Sequence, residues 1–152
     1  MAIKDMEPDI LLIEDNDMEA GLLIRAFKKC NPEKHILWIN DAEKALEFLS
    51  YGGKTGTGGS KPLLILLDLY LPKMHGFEIL QKIGSMKINR YYEIIVVSGT
   101  GNEKEINKCY GFGAKAFIDK DILYGNCVRV IGGEEIGGQI LPEQNLTEQV
   151  EQ

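Results

Sequence analysis

The sequence predicts a single α/β domain in which a parallel sheet is wound with helices on both faces. Five apolar runs of strand length recur along the chain, stretches of helical periodicity separate them, and the runs are apolar at nearly every position instead of at alternate ones. Parallel strands need crossover connections, usually helices, and strands apolar on both faces need cover on both faces. A doubly wound sheet meets both demands. The 152 residues, 44% of them hydrophobic, suit one such domain with a substantial core.

The elements follow in order. The strand-like runs are "ILLI" from Ile10, "HILWI" from His35, "LLILL" from Leu63, "IIVV" from Ile94 and "AFI" from Ala116. After the first comes a helix from Asp17 to Cys30, with Leu23, Ala26 and Phe27 on one face. The next runs from Asp41 to Leu49, with Ala42, Ala45, Leu46 and Leu49 on one face and Asp41 placed to cap it. Shorter helices are expected at Phe77 to Ile83 and Glu103 to Tyr110. A last helix is expected to start near Asp121 and carry Leu123, Cys127, Val128 and Ile131. Gly132, Gly133, Gly137 and Gly138 oppose its continuation, so a loosely packed tail is expected from there.

Two glycine-rich stretches imitate nucleotide motifs. In "FLSYGGKTGTGGSK" the "GKT" copies the end of a P-loop, but the first motif glycine would fall on Phe48 and the stretch follows a helix, where a P-loop follows a strand. It reads as a surface loop. "GFGAKA" leads into a strand, the reverse of a dinucleotide fingerprint, and reads as a helix end and turn.

Composition excludes several classes. A net charge of -6 argues against nucleic-acid binding, which calls for a basic patch. Cys30, Cys109 and Cys127 are odd in number, widely spaced and without a C-x-x-C, so neither a disulfide framework nor a zinc site is expected. No apolar stretch approaches the roughly 20 residues of a membrane helix, and "MAIKDMEPD" lacks the apolar core of a signal peptide. A soluble cytoplasmic protein without membrane contact is the expectation.

In this architecture ligands bind beyond the carboxyl ends of the strands, so the polar residues that end the apolar runs are the candidate site. They are Glu14 and Asp15 after the first run, Asp68 after the third, Ser98 after the fourth and Lys120 after the fifth. If the first and third strands are neighbours, three acids share one pocket. Like charges about 4 Å apart repel by up to ~4 kcal/mol at a protein-surface dielectric, so such a cluster needs a cation or a raised pKa. Oxygen ligands with open positions suit Mg²⁺, which keeps waters that a phosphate displaces. Lys120 and Ser98 then complete a phosphoryl site with an ammonium and a hydroxyl.

Together "ILLIEDND", "LLILLDLYLPKMHGFEIL", "IIVVSGT" and "GAKAFIDK" resemble the motif set of the response-regulator receiver domains of two-component signalling. The resemblance covers residues 9–131, leaving residues 1–8 as an N-terminal tail and 132–152 as a glycine-rich, polar C-terminal tail. The "EDN" opening and the long glycine-rich insertion resemble the subgroup that pairs with phytochrome-type histidine kinases. The resemblance implies a flavodoxin-like strand order 2-1-3-4-5. It implies Asp68 as phosphoacceptor from a sensor histidine kinase, with Asp15 a direct Mg²⁺ ligand, Glu14 a ligand through water, and Tyr70 a ligand through its backbone carbonyl. Lys120 and Ser98 would hold phosphoryl oxygens. Phe117 would turn inward behind Ser98 and alter the face of the fourth helix, fifth strand and last helix for an unnamed downstream protein. A monomer or homodimer is compatible with this.

Two departures stand out. The family usually has proline in a cis peptide after the lysine. Here Asp121 follows Lys120, and without proline a cis bond costs about 2.5 to 4 kcal/mol, so a trans peptide is expected. His75 replaces a common aspartate at the start of the third helix and should cap less well. Three other functions compete: a phosphorylation-independent binding module, an aspartate-nucleophile phosphatase and an FMN carrier. The phosphatase is disfavoured because Tyr70 stands where its second aspartate would be, and the FMN carrier because the first loop reads "EDND".

Overall fold

A computed structural model describes residues 7–50, 63–69, 75–86, 92–99 and 102–121, and the backbone alone of residues 51–52, 127–128, 131–133, 137–139 and 150–151. Five strands, β1 (Ile10–Ile13), β2 (Ile36–Ile39), β3 (Leu63–Asp68), β4 (Tyr92–Ser98) and β5 (Ala116–Asp119), pair in parallel in the order β2-β1-β3-β4-β5. This is the expected doubly wound sheet with the expected strand order. Every residue of β1 and β3 is buried, as continuous apolar runs require.

Helix α1 (Asp17–Cys30) covers one face. Its Ala20, Leu23 and Phe27 pack on Leu12, Leu66, Val97 and Ile118. Helices α2 (Ala42–Gly52), α3 (Gly76–Ser85) and α4 (Glu103–Gly111) cover the other face, against Leu11, Ile13, Ile65, Leu67, Val96 and Phe117. The alternation Leu11, Leu12, Ile13 between the two cores follows from the period-two pleat. Fully burying a side chain such as Phe27, 0% exposed, is worth about 1.5 to 3 kcal/mol, which is how an acidic chain holds these layers together.

Helix starts are fixed by short polar side chains. Asn16 Oδ1 accepts from Glu19 N at 2.9 Å, and Asp41 Oδ1 accepts from Lys44 N at 3.0 Å. Asn102 and Glu105 form a reciprocal capping box on α4. His75 caps α3 through Nδ1, which accepts from Phe77 N at a longer 3.3 Å, in keeping with the weaker cap expected. The "GFGAKA" stretch is a helix end and turn: α4 stops at Gly111, and Gly113 takes a φ of 102°, open to glycine at no steric cost.

Three expectations need correction. The last helix does not extend as predicted: Lys120 and Asp121 take helical backbone, residues 122–126 lie outside the described residues, and Cys127–Val128 and Ile131–Gly133 are strands β6 and β7. Strand β6 pairs with β9 (Val150–Glu151) and β7 with β8 (Gly137–Gln139), both antiparallel. Among the described residues beyond 126, short paired strands replace the expected helix. Glycines cost helix about 1 kcal/mol each, and β-branched Val128 and Ile131 favour strand. Second, α2 continues past Leu49 to Gly52, and the rest of the glycine-rich loop lies outside the described residues. A helix precedes it and a strand follows, so the P-loop order is not met. Third, no disulfide was expected, yet Cys30 at the end of α1 is disulfide-bonded, while Cys109 is a free, buried thiol. Among the described residues no helix is long and apolar enough to cross a membrane.

Candidate functional site

Sheet register builds the site. Ile13 pairs with Leu67, so the next residues, Glu14 and Asp68, leave adjacent strands side by side at the carboxyl edge. Asp68 is level with Val97, one residue before Ser98, and Ser98 pairs with Asp119, one residue before Lys120. Glu14, Asp15 and Asp68 each place a carboxylate oxygen within 4.8 Å of the others. Glu14 and Asp68 are buried at 1% and 6% exposure, whereas Asp15 is exposed, so the cluster opens to solvent on one side.

Lys120 reaches into this cluster. Its Nζ lies 3.1 Å from Glu14 Oε1, 3.5 Å from Asp68 Oδ2 and 3.5 Å from Glu19 Oε2. The described residues contain no cis peptide, so the trans geometry expected after Lys120 holds and still directs the ammonium at Asp68. Asp119 Oδ1 accepts from Asp121 N at 2.7 Å, a local turn bond directly after β5. Ser98 is fully buried at the end of β4. Phe117 packs inside the core beside Val96 and Cys109, 4% exposed. Tyr70, expected to offer its carbonyl, lies outside the described residues.

Burial, followed by the charge of Asp68, raises the Glu14 carboxyl to about 7 against the opposing pull of Lys120 and the Asn16 N–H. Burial alone would lower the Lys120 ammonium, but the carboxylates of Asp68, Glu14 and Glu19 outweigh it and hold the ammonium above its ordinary value. This is a pocket with an excess of negative charge. Its donor set, carboxylate oxygens with one side open, fits a hard divalent cation that keeps water ligands.

Two positions escaped the sequence reading. Trp38 on β2 donates its indole N–H to the Glu14 carbonyl at 2.6 Å, and Glu19 on α1 meets Lys120. The only sequence sign of Glu19 was an acid in the first helical turn, which ordinarily complements the helix dipole.

Residues 10–131 match the family model for the response regulator receiver domain. The chain belongs to the response regulator receiver family. The receiver is 32% identical over 127 residues to the probable methanogenesis regulatory protein FilR2 of Methanothrix harundinacea (strain 6Ac), covering 84% of this chain and 79% of that protein. It is 26% identical over 126 residues to response regulator Rcp1 of Synechocystis sp., covering 83% and 85% of the two chains. The Mn²⁺-bound structure of Rcp1 superposes with a TM-score of 0.60 at 25% identity, covering 78% of this chain and 90% of that one. The phosphorylated cyanobacterial phytochrome response regulator RcpA gives 0.61 at 27% identity, covering 79% and 91%. The receiver thus resembles phytochrome-associated response regulators in sequence and in fold.

Proposed function

We propose that this receiver accepts a phosphoryl group on Asp68 from a phosphohistidine of a sensor histidine kinase and acts as a signalling switch, not as a turnover enzyme. The observation that carries the proposal is the Lys120 ammonium, 3.5 Å from Asp68 Oδ2, at the edge of a three-carboxylate cluster. Mg²⁺ would be held by Asp15 and Asp68, by Glu14 through water and, by family analogy, by the Tyr70 carbonyl; bound there it would neutralise the cluster and the incoming phosphoryl oxygens. An Asp68 carboxylate oxygen attacks phosphorus. The P–O bond forms as the P–N bond breaks, its electron pair going to the ring nitrogen, and the imidazole, already protonated at its other nitrogen, leaves as the neutral ring. Lys120 draws on a phosphoryl oxygen, and Ser98 supplies a hydroxyl donor to another. Because negative charge spreads over the equatorial oxygens, most of the catalysis is such positioning.

Phosphorylation would then be read through Ser98 and Phe117 at the face of α4 and β5, a two-state change biased by one charged group. Similarity to the cyanobacterial phytochrome response regulator RcpA supports a kinase of the phytochrome type, and membership of the receiver family supports a cytoplasmic location and a downstream protein as the receptor of the signal. The absence of a proline after Lys120 is what favours the binding-only alternative, and the ammonium 3.5 Å from Asp68 Oδ2 speaks for phosphorylation over it.

Incubation with acetyl phosphate and Mg²⁺ tests the proposal. The wild-type chain should gain one acid-stable, hydroxylamine-labile phosphoryl group, and chelation of Mg²⁺ should abolish the gain. Labelling of Asp68→Asn equal to wild type would refute the assignment.

A further inference from the structure

The geometry points to Glu19 as a positioning residue that tethers Lys120 for phosphoryl transfer. This inference deepens the proposed function and rests on Asp68 as phosphoacceptor. Two helices of this chain begin alike, with an asparagine N-cap and a glutamate three residues on: Asn16 with Glu19 on α1, and Asn102 with Glu105 on α4. On α4 the box closes on itself, Glu105 N donating to Asn102 Oδ1 at 2.8 Å and Asn102 N to Glu105 Oε1 at 3.4 Å. On α1 only the first half repeats, with Glu19 N donating to Asn16 Oδ1 at 2.9 Å. The Asn16 N–H is given to Glu14 Oε2 at 3.2 Å, and Glu19 Oε2 stands 3.5 Å from Lys120 Nζ. A side chain that closes the box on α4 is turned into the site on α1.

Lys120 needs such a partner. Its ammonium has three N–H groups and three carboxylates around it, Glu14, Asp68 and Glu19. Glu14 and Asp68 also belong to the carboxylate cluster that suits a cation, and Glu19 does not. A cation there would share the charge of Glu14 and Asp68 and repel the ammonium, whereas Glu19, outside the cluster, would keep its contact with Lys120. No proline follows Lys120 to stiffen its backbone, so the side-chain tether has more to do here.

A double-mutant cycle tests the tether. Autophosphorylation by acetyl phosphate at saturating Mg²⁺ should slow about threefold to tenfold in Glu19→Gln, with the half-saturating donor concentration unchanged, and Glu19→Asp should recover part of the loss. In a Lys120→Gln background, Glu19→Gln should have no further effect. A second cycle, on the urea midpoint of the metal-free chain in chelator, should show the same non-additivity without any phosphorylation. Equal rates for wild type and Glu19→Gln, or additive effects in both cycles, would overturn the inference. If the wild-type chain takes no label at all, the assignment of Asp68 fails instead, and the urea cycle alone decides whether Glu19 and Lys120 are coupled.

Discussion

Glu93 is a buried charge with no part in the proposed chemistry. It sits near the start of β4, 5% exposed, and neither carboxylate oxygen has a hydrogen-bond partner among the described residues. Among the described residues it pairs with Lys115 at 3.7 Å, and that lysine is half-exposed, so the pair is screened. Burial raises the Glu93 carboxyl above its ordinary 4.5, opposed by Lys115. A carboxyl whose pKa is raised on folding destabilises the folded state above the folded pKa; the penalty fades as pH falls through that value and is gone below 4.5. Glu93→Met, close in volume and without charge, should therefore raise the urea-unfolding free energy by about 1 to 3 kcal/mol at neutral pH, the cost of an unsatisfied buried polar group. The gain should shrink as pH is lowered towards 4.5. A gain that is constant across pH would mean that ionisation of Glu93 is not its source.

At the scale of elements, the approach of α3 to the end of β3 frames the phosphoacceptor. Gly76 N donates to Leu69 O at 2.8 Å, and a Cβ on Gly76 would lie 2.6 Å from both Cα and O of Leu69. Backbone atoms cannot yield at that distance. Gly76→Ala should cost about 1 to 3 kcal/mol in urea unfolding and slow phosphorylation of Asp68, because Leu69 directly follows it. The strands themselves were readable in the sequence, since apolar runs with polar terminators leave little choice of period. The edge positions were readable for the same reason: once the strands are in register, Glu14, Asp15, Asp68 and Lys120 come together at one edge, with Ser98 ending the neighbouring strand. The last helix was misread because the spacing of Leu123, Cys127, Val128 and Ile131 suits a helix as well as a strand. Glu19 and Trp38 were invisible for another reason. Their partners are chosen by how α1 and β2 pack, and no local pattern encodes that.

The whole molecule is poised around one excess of negative charge. At the sheet edge four carboxylates, Glu14, Asp15, Glu19 and Asp68, surround one ammonium without neutrality. Folding so arranged should be strengthened by whatever neutralises the cluster. Mg²⁺ at 100 times its dissociation constant should stabilise the chain by about 2.7 kcal/mol by mass action, seen as a higher melting temperature than in chelator. Asp15→Asn should remove most of that increment, while an equal increment in the variant would place the ion elsewhere. The central claim, that the phosphoryl group resides on Asp68, is tested most directly by trapping the acyl phosphate. After reaction with acetyl phosphate and Mg²⁺, borohydride reduction and peptide mass mapping should find homoserine at position 68. Conversion at Glu14, Asp15 or any other carboxylate instead of Asp68 would contradict the account.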